Sequence, residues 1–286
     1  RLLKASAPPL AFRHPAQALP MADAQVMLEG VQSPGDDMSN GFRISLAPPP
    51  DAAYQVIGTE MQVVNVLLKP SQSVEVSPGA MMHHGPSIYA EPRCTCSCGR
   101  YCTGESNILI NYVNKGSEPE VIGLTPNYPA KIIPIHLSEG GVIVRTTSYM
   151  CGVGDVNIGI NCDFCSLTCC FGDMGPIRQK ITGSGIAFLQ AGGTVLEKTL
   201  TEGETICIDE ESLIGWSETV KFTMRQFGGF GSCCSICFGG EGCCLAALHG
   251  PGKIYITSMN FKKWHNVLAP SYVASRSNPD DPADTE

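Results

Sequence analysis

The chain has 286 residues, 43% of them apolar and only 16% charged, with 31 Gly, 21 Pro and a net charge of −8. This balance excludes a disordered chain, which lacks the apolar residues to form a core. It also excludes a nonspecific nucleic-acid binder, which needs a basic footprint on phosphates, and no segment reaches the roughly 18 consecutive apolar residues of a membrane-spanning helix.

Residues 1–22 carry Arg1, Lys4, Arg13 and His14 and no acid before Asp23, a bias shared with mitochondrial presequences. Pro8, Pro9, Pro15 and Pro20 oppose that reading, because prolines break the amphipathic helix of such a signal. Met21 as a start residue preceded by extra sequence is the second reading, and both stay open. Residues 1–53 are therefore expected to be an N-terminal extension and linker with targeting as one option, and Glu29 to Asp51 is its most linker-like part.

Short strands dominate from Tyr54 onward. Gln62–Leu68, Ser73–Val76, Gly141–Arg145, Gly185–Gln190, Thr205–Ile208 and Lys253–Thr257 are rich in β-branched residues and bounded by Gly, Pro or Glu-Gly turns. No helix-period segment competes with them, which predicts an all-β sandwich or barrel. Residues 269–286 are polar and acidic, with nothing to bury, and are expected to form a disordered tail.

The strands and turns recur. Cys170-Phe171-Gly172 leads to Ile181, Gly183 and Gly185, and Cys237-Phe238-Gly239 leads to Leu248, Gly250 and Gly252, each 67 residues on; Cys102 opens a weaker first copy. Leu68-Lys-Pro-Ser, Leu137-Ser-Glu-Gly and Leu200-Thr-Glu-Gly share one spacing from turn to alternating strand. The period exceeds that of ordinary solenoids and predicts tandem small modules, about 54–136, 137–199 and 200–268, forming one β domain at 54–268. Equivalent loops in three modules predict a pseudo-threefold block. Gly79, Gly183, Gly185, Gly250 and Gly252 sit where a strand begins after a tight turn, a backbone position that a Cβ enters only with strain.

Of 15 cysteines, 14 lie at 94–102, 151–170 and 233–244, and only Cys207 stands apart inside a strand. Free thiols acting as small apolar groups are one reading. Disulfides fit poorly, because Cys169-Cys170, Cys233-Cys234 and Cys243-Cys244 are adjacent pairs with awkward geometry. Cys162, Cys165, Cys169, Cys234 and Cys237 have spacings by which thiolates grip zinc, although the doubled CxxC pattern is missing. Lipidation of the apolar run from Phe230 to Phe238 is a further option.

Four segments carry a family resemblance: Gly239-Gly-Glu-Gly242 with Leu248-His-Gly-Pro-Gly-Lys-Ile254; Ile181-Thr-Gly-Ser-Gly-Ile-Ala-Phe-Leu-Gln-Ala191; Leu200-Thr-Glu-Gly-Glu204 with Ile208-Asp209; and Val76-Ser-Pro-Gly-Ala-Met-Met82. Together, over about residues 54–265, they resemble the altered inheritance of mitochondria family. The resemblance implies a tandem β fold similar to the tryptophan RNA-binding attenuation protein, with short double-stranded β-helix modules that tend to form rings. It implies no catalytic reaction and no ligand residues; mitochondrial members are tied to inner-membrane organisation, and bacterial relatives are cytoplasmic. The cysteine set departs from the family pattern.

No cysteine has the flanking sequence of a known nucleophile, so an enzyme is not expected, and a thiol enzyme is a remote third class. His83-His84 reads as a solvated turn pair, His136 as a core histidine, and Asp209 to Glu211 as a solvated turn. The expectation is an intracellular scaffold, mitochondrial or cytoplasmic and without a cofactor. It self-associates and presents repeated loops to a protein partner or membrane surface. The alternative is a zinc- or redox-responsive binding protein that uses a cysteine-rich face.

Overall fold

A computed structural model of the chain describes residues 43–44, 53–94, 108–162, 177–226, 244–259, 264–265 and 268. β1 (Arg43–Ile44) and β2 (Tyr54–Ile57) come first. Six strands follow: β3 (Val63–Leu68), β4 (Ser73–Val76), β5 (Met81–His84), β6 (Ile88–Cys94), β7 (Ile108–Asn114) and β8 (Glu120–Leu124). The next six are β9 (Lys131–His136), β10 (Val142–Val144), β11 (Tyr149–Val153), β12 (Val156–Cys162), β13 (Ile177–Gly183) and β14 (Ile186–Ala191). The last six are β15 (Val195–Leu200), β16 (Thr205–Ile208), β17 (Leu213–Ser217), β18 (Lys221–Gln226), β19 (Cys244–His249) and β20 (Gly252–Thr257). Single 3₁₀ turns, Leu137–Glu139 and Glu210–Ser212, precede β10 and β17. The protein is all-β, and among the described residues the strands form antiparallel sheets of seven, six, four and three strands.

The same pairings occur in each set of six. The first strand pairs the sixth, as β3–β8, β9–β14 and β15–β20. The second pairs the fifth, as β4–β7, β10–β13 and β16–β19. The fourth and fifth make a long hairpin, as β6–β7, β12–β13 and β18–β19. The third lies on the sixth with a β-bulge at Met82 in β5, Met150 in β11 and Ile214 in β17. A bulge re-aims one side chain, and at two of these places it joins neighbouring sets, through β4–β11 and β10–β17.

Alternation decides which side chains enter the core. In β3, Val64, Val66 and Leu68 are buried, while Val63, Asn65 and Leu67 are half-buried on the other face. Val142, Ile143 and Val144 of β10 are all buried, because β13 and β17 flank the strand and apolar clusters lie on both faces. Three clusters result, centred on Val66 and Phe188, on Ile181 and Leu189, and on Trp216 and Leu248. Each fully buried Val, Leu, Ile or Phe stabilises by roughly 1.5–3 kcal/mol. A surface ion pair such as Lys115–Glu91, 2.6 Å apart with both side chains half exposed, adds at most about 1 kcal/mol, so apolar packing carries the fold.

Three local readings are corrected. Met81–His84 is a strand rather than a turn, because β5 pairs with β8. His136 is exposed at the end of β9 and lies beside Tyr54 at 6.5 Å between ring centroids, so it is not a core residue. Glu210 is buried, not solvated: Asp209 caps its 3₁₀ turn by accepting the Glu211 amide at 3.1 Å, and Arg145 donates to the Glu210 carbonyl at 3.0 Å.

Candidate functional site

The outgoing strands of the first two hairpins are largely exposed. β6 exposes every residue from Tyr89 to Cys94, and Ile108 and Ile160 near the hairpin ends are also exposed. Cross-strand pairing runs to the last rung of each hairpin: Cys94 opposite Ile108, Cys162 opposite Ile177, and Gln226 opposite Cys244. Each rung is the last described one before residues 95–107, 163–176 and 227–243, and each rung contains one cysteine. This common position was missed in the sequence because the cysteine switches from the outgoing to the returning strand in the third hairpin.

Of the proposed zinc ligands, Cys162 is exposed, at the last rung of the second hairpin. Cys165, Cys169, Cys234 and Cys237 lie outside the described residues. Among the described residues no group of three or more His, Cys, Asp or Glu side chains is arranged to hold a metal. Cys151 and Cys207 are free thiols, the first buried and the second exposed. Burial pushes the Cys151 thiol far above its usual range, so it packs as a neutral apolar group.

The turn glycines sit at tight places. Gly79, Gly183 and Gly252 have φ of 89°, 134° and 143°. At Gly185 and Gly250 a Cβ would instead collide with the Val153 and Thr201 carbonyl oxygens.

A cleft of about 620 Å³ opens between β9, β15, β17 and β20 and is lined by Glu139, Glu197, Glu218, Lys253 and Tyr255. Burial raises the Tyr255 hydroxyl to about 12, helped by the charges of Glu197 and Glu139. Lys253 neutralises Glu139 at 3.2 Å, and Lys180 pairs with Glu218. The cleft thus offers a solvated acidic wall with much of its charge already paired. On another surface, His249 sits 2.8 Å from both the Thr205 and Thr223 hydroxyls and ties β16, β19 and β18 together by side chains.

Comparison with known proteins settles the family. The family model described as mitochondrial biogenesis AIM24 matches residues 54–259. The chain belongs to this family. Its curated relatives include an uncharacterized protein of Streptococcus pyogenes serotype M6, 22% identical over an alignment of 230 residues and covering 77% of this chain and 90% of that protein. An X-ray structure of a Streptococcus pyogenes protein superposes with a TM-score of 0.61 at 19% identity, covering 76% of this chain and 98% of that one. At that identity the likeness shows the fold alone. The family is linked by its description to mitochondria, and no helix among the described residues is long and apolar enough to cross a membrane.

Proposed function

We propose that this chain is a non-enzymatic scaffold for mitochondrial biogenesis. It self-associates and presents three hairpin-borne loops to a partner or membrane surface. The observation that carries this reading is the recurrence of one hairpin, closed by a cysteine-bearing rung, in each of three identically paired strand sets. Those sets are three tandem modules, each joined to the next by the same kind of strand junction, in the manner of short double-stranded β-helix modules. Three like hairpins, one in each of three sheets of one chain, are suited to binding at several points at once, where linkage multiplies weak contacts. The family description supports the mitochondrial setting.

The test is complementation. Cells lacking the protein are given the full chain, or a chain in which loops 95–107, 163–176 and 227–243 are each replaced by a short Gly-Ser turn. The account expects the trimmed chain to keep its β-sheet circular dichroism and lose rescue of respiration. Full rescue by the trimmed, folded chain would remove the loops from the function.

A second reading, a zinc- or redox-responsive protein, is favoured by one observation: Cys94 and Cys162 hold the same rung of two hairpins. Zinc would use Cys162 with Cys165, Cys169, Cys234 and Cys237, and its stoichiometric presence in chain purified under reducing conditions is the result that would promote it.

A further inference from the structure

We propose that β5 and β16 are the two halves of an intermolecular strand junction, so that copies of this chain join head to tail through a β5–β16 pair. This rests on the self-association reading above and names the surfaces that perform it.

Two junctions of this kind already exist within the chain. In the first, β4 pairs with β11; Met150, the bulge residue of β11, is 1% exposed and lies in the apolar cluster of Val74 and Val76. In the second, β10 pairs with β17; the bulge residue Ile214 is 2% exposed and lies in the cluster of Val142 and Val144. In both, the second strand of one set receives the third strand of the next, and the amide that follows the receiving strand closes the contact. Ser77 donates to the Met150 carbonyl and Arg145 to the Ile214 carbonyl, each at 2.8 Å.

The remaining second strand is β16 and the remaining third strand is β5. Among the described residues neither has a strand neighbour on that side, since each ends its own sheet. Their exposure differs from that of their counterparts accordingly. All four residues of β5 are exposed, against complete burial of β11, and Met82 is 51% exposed at the bulge where Met150 and Ile214 are buried. On β16, Ile206 is only partly buried and Cys207 is exposed, where Val74 and Val142 are covered.

A bulged, apolar edge of this kind is a template for another strand. The register of the two formed junctions carries over: Met82 would face Asp209, His83 would face Ile208 and His84 would face Cys207. The occupant is a second copy of this chain, because each edge has in the other the geometry its own repeat partners already use. Such a contact is heterologous, using different surfaces on the two copies.

Two variants change only these edges. Met82→Asp places a charge on the inserting side chain. Cys207→Pro blocks the ladder: Ser77 directs its amide to β11, so alternate residues do likewise, and Cys207 correspondingly directs its amide away from β19. Both positions are exposed, so the fold of each variant is checked by circular dichroism. By sedimentation equilibrium at micromolar concentration, wild type should exceed the 30.4 kDa of one chain, and each variant alone should fall to that mass. Their mixture should give a capped complex of two chains, since each variant keeps the edge the other lacks.

Wild type assembling while both folded variants assemble equally well would overturn the strand assignment but leave self-association standing. Loss of assembly in one variant only, or a mixture that stays single, would mean that the contact uses like surfaces and would overturn it too. A single-chain wild type would overturn self-association itself, and protection of the Cys207 amide in that single chain would mean that its own residues fill the edge.

Discussion

Ser77 donates its amide to the carbonyl of Met150 at 2.8 Å, and its hydroxyl to the neighbouring Tyr149 carbonyl at 3.1 Å. One residue after β4 thereby holds the bulge that drives Met150 into the adjoining apolar cluster. Met150→Ala should destabilise the chain by about 2–5 kcal/mol, as truncation of a buried methionine does. Met82→Ala, at the matching exposed bulge, should change the stability of the single chain by less than about 0.5 kcal/mol. Urea unfolding of the two variants checks the contrast, and equal losses would contradict it.

Much of this fold was legible where β-branched residues alternate between turn residues. Ser73–Val76 and Thr205–Ile208 were read with the bounds that the structure shows, because alternating β-branched residues lie between turn residues. The hairpin arms β6 and β12 were not, since Tyr89-Ala-Glu-Pro-Arg93 and Asn157-Ile-Gly-Ile-Asn161 face solvent and carry no strong apolar alternation. His83 and His84 were read as a solvated turn pair because they follow the Pro78-Gly-Ala-Met81 turn; they are exposed but belong to strand β5 through its pairing with β8, which no local pattern reports. The landmarks Leu137 and Leu200 lie at the ends of β9 and β15 rather than at the starts of the strand sets. Of the candidate site, the turn glycines were visible in spacing, whereas the common rung of Cys94, Cys162 and Cys244 depends on pairing across the hairpins.

Arg178 of β13 is 1% exposed, with its guanidinium carbon 3.9 Å from the ring centroid of Phe222 and 5.4 Å from that of Trp216. These contacts join the second strand set to the third. Arg178→Ala should cost about 2 kcal/mol or more, the scale of a desolvated cation–π contact, and Arg178→Lys should recover little because an ammonium does not stack. Thermal unfolding of both variants measures this, and full recovery by lysine would show that charge alone matters.

Gly183 has φ of 134°, and a Cβ there would collide with the Asp155 carbonyl oxygen. Gly183→Ala should therefore lower stability by about 1–3 kcal/mol. Chemical denaturation provides the value, and an unchanged midpoint would contradict the geometry.

Alkaline pH should loosen the fold. Burial raises the hydroxyls of Tyr128 and Tyr255 to about 12 and also pushes the Cys151 thiol up. Each of these acids is held neutral in the fold and ionises more readily when unfolded, so stability is fully present below the unfolded values and falls as pH rises through the folded ones. The melting temperature should be insensitive to these groups below about pH 9, the ordinary range of a thiol, and decline from there toward pH 12. Tyr255→Phe should flatten part of the decline; an identical pH profile would exclude Tyr255 as a contributor.

Replacing Cys169 and Cys170 together by Ala should lower stability modestly and leave metal content unchanged, as expected of free thiols that act as small apolar groups. Elemental analysis before and after the substitution decides this. Zinc present at one equivalent and lost in the variant would favour the metal-binding reading.

The native mass of the full chain at micromolar concentration tests the scaffold account most directly. The account predicts an assembly heavier than the 30.4 kDa chain, and a protein that stays at that single-chain mass across the micromolar range would contradict it.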